Sequence, residues 1–251
     1  MRPNPRQKIY KFYFFKNLLH LLTFNFFNLN KTKNLNNYFK NHFNYKNTLC
    51  INKGRIGAYL AVKACISKKK NKIILSPFTI FDVVNMVICA GGVPVFSDVE
   101  KRSITINLDS IKKVYDDEVA GILITHTHLI NSDIDEIISF SKKNSIFLIE
   151  DCAISYGTKI NDKFIGTLGD ISFFSFGIFK FISSLNGGLI IAKDDETYNK
   201  ILTEHKKFKS YDYTGLVQNY FKSVFVSLAT NPILFKYVTS YLIKFGNIFN
   251  I

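Results

Sequence analysis

Residues 120–151 read AGILITHTHLINSDIDEIISFSKKNSIFLIED, and their pattern decides the fold. Ala120–Thr125 is a short, strongly apolar run, which predicts a buried strand. From Asp133 to Lys143 the period changes, with Ile134, Ile137, Ile138 and Phe140 recurring on one inward face as a helix requires. Ser145–Glu150 returns to the strand pattern. Upstream, Ile73-Ile74-Leu75 and Val93–Phe96 read as strands, Phe81–Ala90 as a helix, and Ile111–Tyr115 as part of a helix opened by Asn107 and Asp109. Downstream, Ile171–Phe176 and Gly188–Ala192 are two more apolar runs, followed by a polar helix near Glu196–Lys207. Apolar strands alternating with amphipathic helices predict an α/β domain with a mainly parallel sheet.

The flanks differ from this centre. Residues 1–81 hold 16 of the 33 basic residues and none of the 19 acidic ones, so they carry +16 and the remainder −2. The net charge of +14 is therefore local. Solvated lysines account for it, and a basic face toward phosphates or lipid headgroups is the alternative. No nucleic-acid-binding motif accompanies the charge, so nucleic acid is not an expected partner. Ile9–Leu29 is aromatic-rich but interrupted by Lys11, Lys16, Asn17, His20, Asn25 and Asn28, which argues against a bilayer-spanning helix or a signal peptide. From Leu216 onward an apolar, aromatic stretch is punctuated by lysines and broken by Pro232 into two helical pieces. It suits a membrane surface or a surface covered by a neighbouring domain or subunit. Cys50, Cys65, Cys89 and Cys152 form no C-x-x-C pair, so neither a structural zinc site nor a disulfide framework is expected, and the cytoplasm is the expected compartment.

Ligands of open α/β sheets bind beyond the carboxyl ends of the strands. Four segments are placed for this: Gly54-Arg55, Pro77-Phe78-Thr79, Glu150-Asp151 and Ser175–Lys180. Singly, each has a plain reading as an N-cap, a turn or a solvated lysine. Their order and spacing resemble the DegT/DnrJ/StrS family of pyridoxal-phosphate sugar aminotransferases, from about Cys50 to about Lys207. The most specific part runs from Asn161 to Gly188: Lys163–Asp170 (KFIGTLGD), Ser172–Phe176 (SFFSF), Lys180 and the pair Gly187-Gly188. Upstream, Ser76-Pro77-Phe78-Thr79, Asn85 and Ala90–Val99 (AGGVPVFSDV) look like the family's run, as do Thr125-His126, Asp133-Ile134-Asp135 and Glu150–Ala153.

The resemblance implies a three-layer α/β/α large domain of the fold-type-I transferases, binding pyridoxal 5'-phosphate. Lys180 matches the family's Schiff-base lysine, which also moves the substrate proton. Burial among Phe176, Ile178, Phe179 and Phe181 would disfavour its protonated form. Asp151 matches the carboxylate that pairs with the pyridine nitrogen, and Ser175 the hydroxyl on the cofactor phosphate. Gly54 and Arg55 open a helix in the place of the phosphate-cradling residues, where free N–H groups and the helix dipole favour an anion. His126 matches a histidine at the site's edge, with packing as its other reading. Ile80 stands where an aromatic often stacks on the cofactor ring, and Ile154 where Gln or His commonly lies near the ring hydroxyl.

The implied activity is transfer of an amino group from an amino acid such as glutamate to a nucleotide-linked keto-sugar for glycan synthesis, in a homodimer. Lys180 argues against the family's dehydratase branch. The expected organisation is a basic aromatic segment (1–48), a cofactor-binding α/β domain (49–210) and an apolar helical tail (211–251), with most of the small C-terminal domain lacking. The alternative is a shortened, non-catalytic relative that binds cofactor or sugar nucleotide and makes peripheral membrane contact.

Overall fold

The alternation resolves into β1 (Thr48–Ile51), β2 (Lys72–Leu75), β3 (Val93–Phe96), β4 (Val119–Thr125), β5 (Phe147–Asp151), β8 (Ile171–Ser175) and β9 (Gly188–Ala192) of one sheet. Between β5 and β8 lies a small hairpin, β6 (Lys159–Ile160) and β7 (Lys163–Phe164). The helices are α1 (Leu29–Phe43), α2 (Gly54–Cys65), α3 (Phe81–Cys89), α4 (Leu108–Val114), α5 (Ile134–Lys143), α6 (Asp195–His205) and α7 (Tyr213–Ala229). A last helix, α8, starts at Pro232–Leu234 and runs on through a π-helical stretch, Phe235–Thr239. This computed structural model describes residues 18–19, 22–23, 29–101, 103–127, 133–177, 180, 182, 184, 186–208 and 213–243. Most of Ile9–Leu29, together with Ile178, Phe179 and Phe181, lies outside the described residues.

The sheet order is β1-β9-β8-β5-β4-β2-β3. The strands β8, β5, β4, β2 and β3 are parallel, and β9 runs antiparallel to both β8 and β1. Side chains alternate across the sheet, as the pleat requires. Leu123, Ile149, Phe173 and Ile190 pack on one face with residues of α2, α3 and α6, such as Leu60, Val87 and Ile201. On the other face Ile122, Ile124 and Leu148 meet Ile111 of α4 and Ile134 and Ile137 of α5. Phe174, Leu189 and Ile191 meet Phe39 and Phe43 of α1 on that same side. Helices thus cover both faces, giving the expected three layers.

Local chemistry sets the boundaries. Asn107 caps α4 in a reciprocal capping box with Ser110, and Asp194 caps α6 by accepting from the Thr197 N–H. The fifth strand starts at Phe147 rather than Ser145, because Ser145 has φ 51 and turns the chain out of α5. It also extends one residue further than its apolar run, to Asp151. As a result, the segments after β2, β4, β5 and β8 emerge at one edge of the sheet. Among the described residues no helix is long and apolar enough to cross a membrane.

Candidate active site

Adjacent residues of a strand face opposite ways, and the end of β5 uses this to separate two acids. Asp151 lies in register with Thr125 of β4 and Phe173 of β8. It is 2% exposed, and its Oδ1 accepts a hydrogen bond from the Ala153 N–H at 3.0 Å. Burial pushes its carboxyl above the usual value, against the opposing pull of that N–H and of Lys180 and His126.

Glu150 faces away and is fully buried. Its Oε2 meets His126 Nε2 and the Gly166 N–H, both at 2.9 Å, while Oε1 accepts from the N–H groups of Leu168 (2.8 Å) and Gly169 (2.7 Å). Burial would raise this carboxyl, but the bond to His126, the interaction with that ring and the backbone N–H groups outweigh it and hold the group below its usual range. Cys152 Sγ lies within 4.8 Å of the His126 and Glu150 ligand atoms. With four donors on its two oxygens, however, the carboxylate has no lone pair left for a cation.

A cavity of about 440 Å³ opens beside Asp151 and is lined by Lys53, Gly54, Arg55, Ser175, Gly177 and Lys180, among others. Its floor depends on Gly54. A Cβ there would lie 2.6 Å from Ser175 Cβ and 2.9 Å from Ser175 Oγ, so only glycine lets the start of α2 sit against the end of β8. Lys53, the N-cap residue, gives no side-chain cap to α2. The first amides of that helix and the Ser175 hydroxyl therefore share one corner, the arrangement an anion needs. Arg55 lines the wall and pairs with Asp82 at 3.0 Å.

A second cavity, of about 290 Å³, shares Ile80, Asp151, Ala153 and Lys180 with the first. Phe78, Thr79, His126 and Ile154 also line it. The turn carrying Thr79 is tied to β4 by Thr125 Oγ1, which donates to Thr79 Oγ1 at 3.3 Å. Asp151 and Lys180 thus stand where the anion corner meets an apolar chamber. All eight predicted positions (Lys180, Asp151, Ser175, Gly54, Arg55, Ile80, Ile154 and His126) border one cavity or both. His126 is 2% exposed and bonded to Glu150, so its edge position and its packing role coexist.

Sequence reasoning missed the clamp at Glu150. The available signal was an acid on the interior side of an apolar strand, followed by a glycine-rich loop that could supply N–H donors. It also missed Asn219 and Lys222 of α7, which line the larger cavity; the tail's apolar content hid them.

Comparison with known proteins bears on this arrangement. The model of the DegT/DnrJ/EryC1/StrS aminotransferase family matches residues 16–231. GDP-perosamine synthase of Vibrio cholerae is 29% identical over 157 residues, 62% of this chain and 43% of that protein. UDP-N-acetyl-3-dehydro-alpha-D-glucosamine 3-aminotransferase of Acidithiobacillus ferrooxidans is 28% identical over 163 residues, 64% of this chain and 44% of that protein. The chain spans somewhat under half the length of these relatives. Among solved structures, the aminotransferase from Psychrobacter cryohalolentis superposes with a TM-score of 0.73 at 24% identity, over 83% of this chain and 53% of that one. Helicobacter pylori PseC, an aminotransferase involved in pseudoaminic acid biosynthesis, gives 0.68 at 18% identity, over 87% and 65%.

Proposed function

The chain belongs to the DegT/DnrJ/EryC1/StrS aminotransferase family, and on that premise we propose that it is a pyridoxal-phosphate-dependent aminotransferase acting on a nucleotide-linked keto-sugar for glycan synthesis. The amino donor is an amino acid such as glutamate. One observation carries the reading: Lys180, Asp151 and the Gly54–Ser175 corner border a single cavity.

The residues fit the cofactor. The corner that a Cβ at position 54 would fill accepts a phosphate, and the buried Asp151 suits a ring nitrogen that carries a proton. Ser175 and the first amides of α2 would donate to the phosphate, with Arg55 adding charge at the rim. Asp151 would keep the ring nitrogen protonated, and the positive ring would in turn stabilise Asp151 as the carboxylate despite its burial. The cofactor, when bound, supplies a carbonyl carbon for an amine and a ring that withdraws electrons. Lys180 would hold that carbon and then move the proton at the substrate carbon. Ile80, Phe78 and Ile154 would exclude water from that side of the chamber.

The test is the visible absorbance of the purified chain with added pyridoxal phosphate, before and after borohydride. The expected result is a new band that borohydride converts into a mass increase on Lys180, absent in Lys180→Ala. A folded wild type with no band overturns the reading.

Two further parts of the proposal concern assembly. The family premise supports a homodimer. The outward aromatic residues Phe221, Phe225, Tyr237 and Tyr241, with Lys236 among them, support contact with an anionic membrane surface.

A further inference from the structure

Glu150 borders neither cavity, yet it holds the structure on both sides of Asp151. In the sheet, β5 lies between β4 and β8. Glu150 Oε2 meets His126, the residue after β4, and both oxygens accept from the 166–169 loop that leads into β8. Asp151 is next in the chain, and its carbonyl accepts from the His126 N–H at 3.0 Å. His126 in turn lines the smaller cavity with Asp151 and Lys180.

The carboxylate dictates where His126 keeps its hydrogen. Three of the four groups on Glu150 are backbone N–H groups, which only donate, and with His126 they keep the acid ionised despite its burial. An ionised carboxylate only accepts, so His126 Nε2 carries a hydrogen. Turning the ring over would set a carbon against Oε2 and leave the buried charge without that bond. The loop is equally constrained. A Cβ at Gly169 would lie 2.6 Å from the Leu148 carbonyl oxygen, so only glycine comes close enough to β5 to deliver its N–H.

We propose that Glu150 is a positioning residue for the site: by fixing the His126 ring and the 166–169 loop, it holds the Asp151 carboxylate and the chamber wall in the arrangement that binding requires. It touches no ligand and acts through His126. The inference rests on the aminotransferase reading above and adds to it a residue on the far side of the strand from both cavities.

The experiment uses the full chain as wild type, Glu150→Gln, His126→Gln and the double variant, with Glu136→Gln on α5 as an exposed control. Ring nitrogen shifts of ¹⁵N-labelled histidine are read without cofactor, and pyridoxal phosphate is titrated at a temperature where each variant is folded. In the wild type the His126 hydrogen should sit on Nε2. Glu150→Gln offers one oxygen to four donors, so the ring shifts should change and pyridoxal phosphate should bind on the order of tenfold more weakly. His126→Gln keeps an N–H donor for Glu150 and hence the clamp, and it should reproduce that loss without the ring. The double variant should lose no more than the larger single loss, because the two residues act as one unit. A merely structural Glu150 would lower stability and leave both the ring shifts and the affinity of the folded chain unchanged, which overturns the inference alone. If Glu150→Gln does not fold, wild-type affinity in His126→Gln, or a wild-type ring with its hydrogen on Nδ1 only, overturns it instead. A folded wild type that binds no pyridoxal phosphate overturns the aminotransferase reading and this inference together.

Discussion

At Glu150, four donors converge on two carboxylate oxygens, while one residue later Asp151 has one N–H and a cavity. The two acids therefore contribute oppositely to stability. Glu150 is held below its ordinary value of 4.5, so its contribution is complete above that pH and is lost as pH falls through the lower folded value. Asp151 is raised above 3.8 by burial, so its ionised form is disfavoured in the fold, and that penalty sets in as pH rises through the raised value. At neutral pH without cofactor, Glu150→Gln should lower the thermal midpoint, since its amide N–H₂ replaces an acceptor facing backbone donors, a loss of roughly 3 kcal/mol. Asp151→Asn should raise the midpoint, because it keeps the acceptor for Ala153 and removes the buried charge. A lower midpoint for Asp151→Asn would mean that attraction to Lys180 outweighs burial. Gly54→Ala tests the floor of the site. Its Cβ must displace Ser175, so pyridoxal phosphate binding should fall at least tenfold, with about 1–3 kcal/mol of overpacking strain read from denaturant unfolding. Lys180, Asp151 and Ser175 were singled out by the order and spacing that resemble the family, since each alone reads as a cap, a turn or a solvated lysine, and all three line one cavity. The clamp on Glu150 was not, because backbone N–H donors leave no residue signature.

Among the elements, the central strands and α5 were legible because their apolar residues keep one strict period over a full element. Helix α1 was not. Its sequence, LNKTKNLNNYFKNHF, offers few apolar residues, yet Phe39 and Phe43, four apart, are both buried. They enter a cluster with Phe174, Phe176 and Tyr156, Phe39 stacking on Phe176 at a centroid distance of 5.6 Å. The helix also guards a sheet edge, since Asn36 Oδ1 accepts from the Cys50 N–H at 2.7 Å on edge strand β1. Hairpin β6–β7 has two residues per strand, too short for periodicity to register. Phe43→Ala should cost about 3–5 kcal/mol in denaturant unfolding, as expected for a core aromatic. A loss below 1 kcal/mol would mean that α1 is docked on the sheet without stabilising it.

Across the whole molecule, charge and apolar exposure are distributed unevenly. Every residue after Asp212 is neutral or basic, and α7, α8 and the turn of helix that follows α8 expose Phe225 (71%), Ile233 (70%), Tyr241 (64%) and Leu242 (66%). The same helix that turns Lys222 toward the cavity thus presents an aromatic side away from it. Anionic lipid would answer both features: apolar rings enter the headgroup boundary, and each nearby lysine adds about 1 kcal/mol. A second subunit would answer only the apolar one. The full chain should therefore co-sediment with phosphatidylserine-containing vesicles, more weakly with neutral ones, and high salt should release only part of it, because screening leaves the apolar term intact. Phe225→Glu should abolish most of that binding while leaving pyridoxal phosphate affinity unchanged, since Phe225 points away from the cavity. If vesicles fail to bind and light scattering instead gives a dimer that Phe225→Glu splits, the aromatic side is a subunit contact. In that case the basic residues of the first 81 positions play no part in placing the protein at a bilayer.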